Sequence, residues 1–376
     1  MRTDIYAKVI SLVCSALKPA QWEIPSDFLS YEHFLRVVKD VNMNSSPGYP
    51  YLLSHSTNRD LFECDKEGKP SAQALQRIWS MVQHQIKTKK SDYIRIFIKP
   101  EPLSPKKRER KSYRIINSVS IVDQIIDAML FKDLNDLLIK NHNQTPVKTG
   151  WSPFVGGWKE VPRRKVISTD KSAWDWTVFM WMLEAELEVR KRLCKNLNKQ
   201  WVELAEWRYH ALFVDPTFIT SGGYLFKQNQ PGIMKSGCKN TITSNSIMQL
   251  ILHYRVSLEL GREPNWLWAM GDDVIMEEED DEYFDLLSQY CNVKEITPLT
   301  EFAGFRFIGS RVEPLYRAKH AFMLLHQDEK FHVETADAYA LLYHRSAYRK
   351  AMRAILRQLN PDLIDEDLLD IIWDAE

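Results

Sequence analysis

A pair of adjacent aspartates has the residue type and the setting needed to bind a divalent metal ion. Asp272 and Asp273 follow Gly271 in a stretch that runs from Trp266 to Met276, with an apolar run on each side. Short apolar runs around a Gly/Asp tip predict two buried strands joined as a hairpin. Carboxylate oxygens are the ligands that Mg²⁺ and Mn²⁺ prefer. The alternative is an Asp-rich surface turn, because turns favour the same residues.

Two more carboxylates follow an earlier strand. Residues 163–170 begin with basic residues, become apolar and end at Asp170, and Asp175 lies five residues further on, before a helical region that reaches about His210. If this strand and the hairpin are neighbours in one sheet, Asp170 and Asp272 come close together. Carboxylates on separate strands can hold the two metal ions used in phosphoryl transfer.

A polar helix is expected between these acidic segments. The turn at Ser236-Gly237 opens a helix that continues to about Leu258. Thr241 and Asn245 are four residues apart and therefore share one helix face. The alternative is that both side chains only form local bonds to the helix backbone.

A basic segment lies upstream of these elements. Seven basic residues stand against two acidic ones between Lys99 and Arg114. Strand-like pieces at residues 93–98 and 113–116 bracket the segment. It is either a solvated loop, which is usual for such runs, or a site for polyanionic phosphates.

The length, charge and cysteine content limit which classes of protein the chain can belong to. The 376 residues are enough for one large core or two to three subdomains. The net charge is zero, so nucleic-acid binding would depend on local basic patches. Five scattered cysteines argue against a disulfide framework or a zinc site and indicate a reducing compartment. No apolar stretch reaches the length of a membrane span, and residues 9–17 are expected in an amphipathic N-terminal helix.

The remaining segments carry simpler expectations. The acidic run 277–282 is expected to be a solvated turn and helix start. The tail from Thr335 is expected to be helical, basic around residues 345–357 and acidic from 362 to 376. Other expected elements are a helix at 71–90, an amphipathic helix at 120–139, and strands at 302–308 and 319–326.

The order of these motifs carries a resemblance. Asp170 with Asp175, then Ser236-Gly237 with Thr241 and Asn245, then Gly271-Asp272-Asp273, resembles motifs A, B and C of the RNA-dependent RNA polymerases of positive-strand RNA viruses. The stretches 97–102, 113–124, 171–176 and 231–237 are similar to those of sobemovirus-like enzymes (the sobemo/polerovirus-like branch). The resemblance covers roughly residues 45–326.

The resemblance implies a role for each matching residue. Asp170 and Asp272 would bind two Mg²⁺ ions, with Mn²⁺ as the alternative, and Asp273 would support them. Other implied roles are ribose or nucleotide binding by Asp175, Ser236, Gly237, Thr241 and Asn245, triphosphate binding by Lys99 and Arg114, template binding by Ser46, Pro47 and Gly48, and proton donation to pyrophosphate by Lys294. Without the family, Lys294 is an ordinary surface lysine.

The implied fold class is α+β, a right-hand polymerase with fingers, palm and thumb and an antiparallel palm sheet flanked by helices. The expected divisions are fingers 1–165, palm 166–210, a fingers hairpin 211–235, palm 236–318 with a primer-grip hairpin near 302–307, and thumb 319–376.

The implied reaction is template-directed RNA synthesis from ribonucleoside triphosphates. The alternatives are a reverse transcriptase, which the ribose-reading pair argues against, and a non-catalytic RNA-binding replicase subunit, which the intact carboxylates argue against. Expected partners are template and nascent RNA, nucleoside triphosphates and other viral replicase proteins, with a genome-linked protein as one candidate primer. The expected location is the host cytoplasm, at membrane-associated complexes reached through partners. The sequence leaves open how synthesis starts and whether Met1 is a true start.

Overall fold

The computed structural model describes residues 2–375, which fold into α-helices and three β-sheets. Met1 and Glu376, the outer ends of the predicted fingers and thumb, lie outside the described residues. The helices are α1 (Thr3–Ala16), α2 (Tyr31–Val38), α3 (Asn58–Leu61), α4 (Ala72–Thr88), α5 (Pro105–Glu109), α6 (Ile121–Lys140), α7 (Trp174–Thr177), α8 (Met180–Leu193), α9 (Lys199–Tyr209), α10 (Thr241–Glu259), α11 (Asp281–Leu287), α12 (Arg317–Leu325), α13 (His332–Tyr343), α14 (Arg349–Leu356) and α15 (Glu366–Asp374).

The strands fall into three sheets. They are β1 (Ile94–Ile98), β2 (Ile115–Ser118), β3 (Ile167–Lys171), β4 (Thr217–Thr220), β5 (Leu225–Lys227), β6 (Leu267–Met270), β7 (Asp273–Met276), β8 (Val293–Thr297), β9 (Glu301–Phe302), β10 (Phe305–Ile308) and β11 (Arg311–Pro314). The sheet orders are β2-β1-β4-β5, β6-β7-β3-β8 and β11-β10-β9. No helix within residues 2–375 is long and apolar enough to cross a membrane.

The sheet β6-β7-β3-β8 is antiparallel and carries the acidic residues. β6 and β7 form the predicted hairpin, with Met270 opposite Asp273. β7 also pairs with β3, and Thr169, the residue before Asp170, lies opposite Val274. The strand that carries Asp170 and the hairpin are therefore neighbours, as their predicted convergence requires. Helix α10 packs against β6 and against α1, α8 and α11.

The sheet β2-β1-β4-β5 joins two distant parts of the chain. β1 pairs antiparallel with β2 and parallel with β4, and β4 and β5 form the hairpin expected within residues 211–235. The basic segment connects β1 to β2 and contains the short helix α5, so strands hold it at both ends. β2 begins at Ile115, two residues later than expected.

Helix α6 departs from the amphipathic pattern expected at residues 120–139. It is buried on most of its circumference, and the buried positions include Asp123 and Asp127. Arg208 of α9 is fully buried and donates to Asp123 at 2.9 Å and to Asp127 at 2.6 Å. The helix forms as predicted. The side chains of Asp123 and Asp127, however, are buried in ion pairs with Arg208 and do not face solvent.

The predictions of strands at residues 302–308 and 319–326 are wrong. Residues 302–308 do not form one strand, because a turn at Ala303 and Gly304, with φ angles of 51° and 81°, separates β9 from β10. Residues 319–325 belong to helix α12, and His326 is its C-cap. A short apolar run cannot distinguish strand from helix by its period, and the Ala, Met and Leu content of this run favours a helix.

The outer segments agree with expectation. The N-terminal helix α1 turns Val9, Ile10 and Val13 into the core, where it packs against α8 and α10. The tail is helical from α13 to α15 and has a small apolar core of its own. The acidic run caps α11 through Asp280 and is bound by Arg262, which contacts Asp280 and Glu282.

Candidate active site

Three carboxylates lie at the same end of the antiparallel sheet. Asp170 lies near the end of β3, and Asp272 and Asp273 lie in the hairpin turn beside it. Surrounding protein atoms desolvate the carboxyl group of Asp273, and the charges of Asp272 and Asp170 add to this, so its pKa rises to about 6. The site therefore concentrates negative charge that a cation would stabilise.

A cation already binds one of these carboxylates. The ammonium group of Lys294, on β8, forms an ion pair with the Oδ2 of Asp170, and this bond raises the pKa of Lys294. A β-bulge between Asp170 and Lys171 lies at this point of the β3–β8 pairing. Lys294 therefore lies beside Asp170, and its role as a proton donor to pyrophosphate stays a prediction.

The carboxylates suit a divalent ion but do not enclose one by themselves. No three His, Cys, Asp or Glu side chains within residues 2–375 stand close enough together to hold a metal ion. Mg²⁺ is usually held by one or two carboxylates together with water and substrate phosphates. The oxygen donors of Asp170 and Asp272, and the affinity of Asp170 for the Lys294 ammonium, therefore fit such an ion.

Helix α10 fixes the hairpin tip. The backbone N–H of Gly271 donates to the Oγ of Ser246 at 2.8 Å, and the same hydroxyl donates to the carbonyl of Ile242 at 2.7 Å. Thr149 Oγ1 lies 3.3 Å from the Ser246 hydroxyl. Ser246 therefore positions the turn that carries the two aspartates.

Asp175 and Asn245 form a direct contact. The Nδ2 of Asn245 donates to the Oδ1 of Asp175 at 2.9 Å. Desolvation raises the pKa of Asp175, and the negative charge of Asp272 acts in the same direction. The Oδ1 of Asn245 is buried and has no hydrogen-bond partner among the described residues. An unpaired buried acceptor beside a carboxyl group suits a ligand hydroxyl.

The turn at Ser236-Gly237 packs against β2. The Oγ of Ser236 lies 3.5 Å from both the carbonyl oxygen of Ile115 and the Nδ2 of Asn117. A Cβ atom on Gly237 would lie 1.8 Å from the carbonyl oxygen of Asn117, so only glycine allows this approach. Thr241 uses its hydroxyl locally, within 2.8 Å of the Lys235 carbonyl; its role in nucleotide binding stays a prediction.

The two expected triphosphate ligands meet at a shared carboxylate. The Nζ of Lys99 lies 3.5 Å from Glu101, and the Nε of Arg114 lies 3.7 Å from it. The N–H of Lys99 also donates to the carbonyl of Arg114 at 2.8 Å. The positive charge of Arg114 opposes the rise in the pKa of Asp175, which desolvation dominates.

The expected template-binding loop is held at the start of α6. The carbonyl of Pro47 accepts from the N–H of Ile121 at 2.8 Å. A Cβ atom on Gly48 would lie 2.9 Å from the backbone of Ser120, while Ser46 is exposed. No hydrogen bond or ion pair of the described chain joins this loop to the carboxylates. Its role stays a prediction.

Three residues contribute to the site without having been assigned a role from sequence. Ser246 holds the hairpin tip, and Glu101 joins the two cations. Lys171 is buried behind Asp170, and burial lowers its pKa. The single acidic residue beside Lys99 was a usable signal for Glu101. The role of Ser246 depends on Gly271, 25 positions further along the chain, so no short-range pattern predicts it.

A carboxylate-bearing antiparallel sheet, backed by helices and joined to a sheet that carries a basic segment, defines the class of right-hand nucleic-acid polymerases. The sequence model of the viral RNA-dependent RNA polymerases matches residues 26–298. The chain belongs to this family.

Solved structures and curated relatives agree with this assignment. The Sicinivirus 3Dpol RNA dependent RNA polymerase superposes with a TM-score of 0.75 over 99% of this chain and 85% of that chain, at 15% identity. This likeness concerns the fold, and it confirms the predicted right-hand architecture.

Relatives of higher identity are viral proteins. Protein P1-P2 of Pea enation mosaic virus-1 (strain WSG) is 34% identical over 54% of this chain and 18% of its own length. Replicase polyprotein P2AB of Cocksfoot mottle virus is 29% identical over 69% of this chain and 29% of its length, and P2AB of Southern bean mosaic virus is 29% identical over 70% and 28%. These relatives confirm the sobemovirus-like resemblance. The chain spans less than a third of their length.

Proposed function

We propose that this chain is an RNA-directed RNA polymerase that joins ribonucleotides along an RNA template and releases pyrophosphate. The observation that supports this most is the pairing of β3 with β7, which sets Asp170 beside the Asp272-Asp273 turn. Asp170 and Asp272 would bind divalent ions, Mg²⁺ or Mn²⁺, and Asp273 would support them. When bound, such ions stabilise the charge that develops on the oxygens of a phosphoryl group.

The side chains of this chain have separate tasks in the reaction. Lys99 and Arg114 leave Glu101 and bind the triphosphate of the incoming nucleotide. Asn245 offers its free Oδ1 to the ribose 2′-hydroxyl, while Asp175 fixes the amide. The ammonium of Lys294 donates a proton to the departing pyrophosphate. The Ser236-Gly237 turn adjusts to the template and nascent pair, and Ser46, Pro47 and Gly48 guide the template.

The proposal extends to partners and place. Template RNA, nascent RNA and nucleoside triphosphates are the substrates, and other viral replicase proteins are the partners, since the relatives are replicase polyproteins. A genome-linked protein is the candidate primer where priming is by protein. The proposed location is the host cytoplasm, at membrane-associated replication complexes reached through partners.

Templated incorporation tests the proposal. A labelled RNA primer annealed to a defined RNA template is incubated with the protein, Mg²⁺ and one nucleotide at a time. We expect extension only with the complementary ribonucleotide. Extension with deoxynucleotides at comparable efficiency would indicate a reverse transcriptase. Absence of extension with any nucleotide, while the protein still binds RNA, would indicate a non-catalytic subunit.

A further inference from the structure

Lys235 is a buried cation without an acidic partner. It is 1% exposed, and no carboxylate of the described residues lies within ion-pair distance of its Nζ. Aromatic rings of Phe213 and Phe218 lie 5.6 Å and 5.8 Å from the Nζ. Burial lowers the pKa of Lys235 to about 7. Such a group is costly to bury unless its hydrogen bonds are complete.

Oxygen atoms of one loop complete these hydrogen bonds. The Nζ of Lys235 donates to the Oε1 of Gln228 at 2.7 Å, to the carbonyl of Ile233 at 2.6 Å and to the carbonyl of Gly232 at 3.2 Å. All three protons of an ammonium group are therefore used, and two of the acceptors belong to the main chain. The side chain of Lys235 therefore holds the backbone of its own loop in place and does not neutralise a neighbouring charge.

Gln228 extends this arrangement to a second segment. Its Nε2 donates to the carbonyl of Phe213 at 3.1 Å and to the carbonyl of Gly232 at 3.1 Å. Phe213 belongs to the π-helical turn that follows α9. Lys235 and Gln228 together fasten the loop 228–235 to this turn.

The fastened loop leads directly to the candidate ribose and template contacts. The N–H of Met234 donates to the carbonyl of Asp175 at 2.8 Å, and the N–H of Ile233 donates to the carbonyl of Val178 at 2.8 Å. The carbonyl of Lys235 accepts from Thr241 at 2.8 Å, and Ser236 follows immediately. The same short segment is thus bonded to the Asp175 backbone on one side and to the start of α10 on the other.

We propose that Lys235, completed by Gln228, is a positioning residue that holds Asp175 and the Ser236-Gly237 turn in the geometry that selects the incoming nucleotide. The proposal rests on the polymerase function proposed above. Lys235 acts through the backbone of residues 232–236 and touches no substrate. Loss of its donors releases this backbone, and a displacement of even 1 Å at a reacting site is costly.

Single-nucleotide incorporation by Lys235→Met tests the proposal, since methionine is a long unbranched side chain without the three donors. We expect the ratio of kcat/KM for a ribonucleotide to that for the matching deoxynucleotide to fall by about ten- to hundredfold. Lys227→Met is the matched control, because Lys227 is exposed on the adjoining hairpin and pairs with the carboxylate of Asp215. It should keep the ratio of the wild-type chain.

A second variant keeps the test decisive if Lys235→Met does not fold. Gln228→Met should lower the same ratio, and in a folded double variant the two losses should not add, because both substitutions release one loop. A folded variant, verified by its melting temperature, that keeps the wild-type ratio would overturn the proposal, and so would additive losses. Failure of the wild-type chain to extend a primer would instead contradict the proposed function.

Discussion

The amide of Asn245 donates to the carboxylate of Asp175 across 2.9 Å, which joins helix α10 to the segment that follows β3. These two residues are 70 positions apart in the chain. The bond leaves the Oδ1 of Asn245 buried and unpaired among residues 2–375. This relationship gives the site one acceptor that a 2′-hydroxyl can satisfy and a deoxyribose cannot.

Asn245→Ala should therefore weaken ribose selection. A site built to bond a substrate hydroxyl rejects the analogue that lacks it, because its own polar groups are then unpaired. We expect the ratio of kcat/KM for ribonucleotide over deoxynucleotide to fall by roughly ten- to hundredfold. Single-nucleotide incorporation on an RNA primer and template measures this ratio. An unchanged ratio in a folded variant would show that the ribose role is wrong.

Gly237→Ala should abolish most of the activity. The added Cβ would lie 1.8 Å from the carbonyl oxygen of Asn117, and neither backbone can yield without moving the turn from β2. Gly222→Ala is the matched control, since its Cβ would lie 3.3 Å from the side chain of Tyr224 and 3.9 Å from the Oγ1 of Thr220. We expect the Gly237→Ala chain to incorporate nucleotides at least tenfold more slowly than the Gly222→Ala chain, because a displacement of about 1 Å at a reacting site lowers the rate by that much or more. Equal rates would contradict the tight approach.

Lys99→Met and Arg114→Met should weaken nucleotide binding more than catalysis. Both cations converge on Glu101 and are available to a triphosphate. Loss of a hydrogen bond to a charged group costs about 1.5–3 kcal/mol, so KM for the nucleotide should rise roughly ten- to hundredfold. Lys106→Met in the exposed helix α5 is the control and should leave KM within about twofold. If Lys106→Met raises KM as much, the basic segment acts as a diffuse charge.

Acid should destabilise the fold through His253. This side chain is buried, with Tyr283 and Asn265 as partners, and burial lowers its pKa to about 4. In the unfolded chain His253 binds a proton near pH 6.5, whereas in the folded chain it does not. The contribution of His253 to the free energy of unfolding is therefore complete above pH 6.5 and is lost as the pH falls towards 4. The loss is on the order of 3 kcal/mol.

Urea unfolding between pH 7.5 and 4.5 measures this dependence. We expect His253→Gln to unfold more easily at pH 7.5 but to lose less stability on acidification than the wild-type chain. His84→Gln, at an exposed position of α4, should keep the wild-type slope. If the free energy of unfolding changed with pH at the same slope in all three proteins, His253 would not be the source of the acid sensitivity.

Local sequence patterns predict the parts of the site that depend on a single strand, turn or helix. The hairpin around Asp272, the strand that carries Asp170 and the helix of Asn245 all follow from short-range apolar periods and turn residues. The order of these motifs supplies the family and therefore the fold. The division into fingers, palm and thumb at particular residues stays a prediction.

Contacts between distant segments are what the patterns miss. The buried charges of α6 depend on Arg208, 81 positions after Asp127, and no helical period reports such a partner. The need for glycine at 237 depends on Asn117, and the role of Ser246 depends on Gly271. The strand predicted at residues 319–326 is wrong for another reason. The apolar run in α12 is too short for its period to distinguish a helix from a strand.

Primer extension by Asp272→Ala tests the central claim most directly. The matched control is Asp281→Ala, which removes an exposed carboxylate from the first turn of α11. With an RNA template, Mg²⁺ and four ribonucleotides, we expect Asp281→Ala to extend the primer like the wild-type chain. Asp272→Ala should lose about a thousandfold or more of the rate while keeping its melting temperature within a few degrees. Extension by Asp272→Ala at the wild-type rate would contradict the assignment of this turn as the catalytic centre.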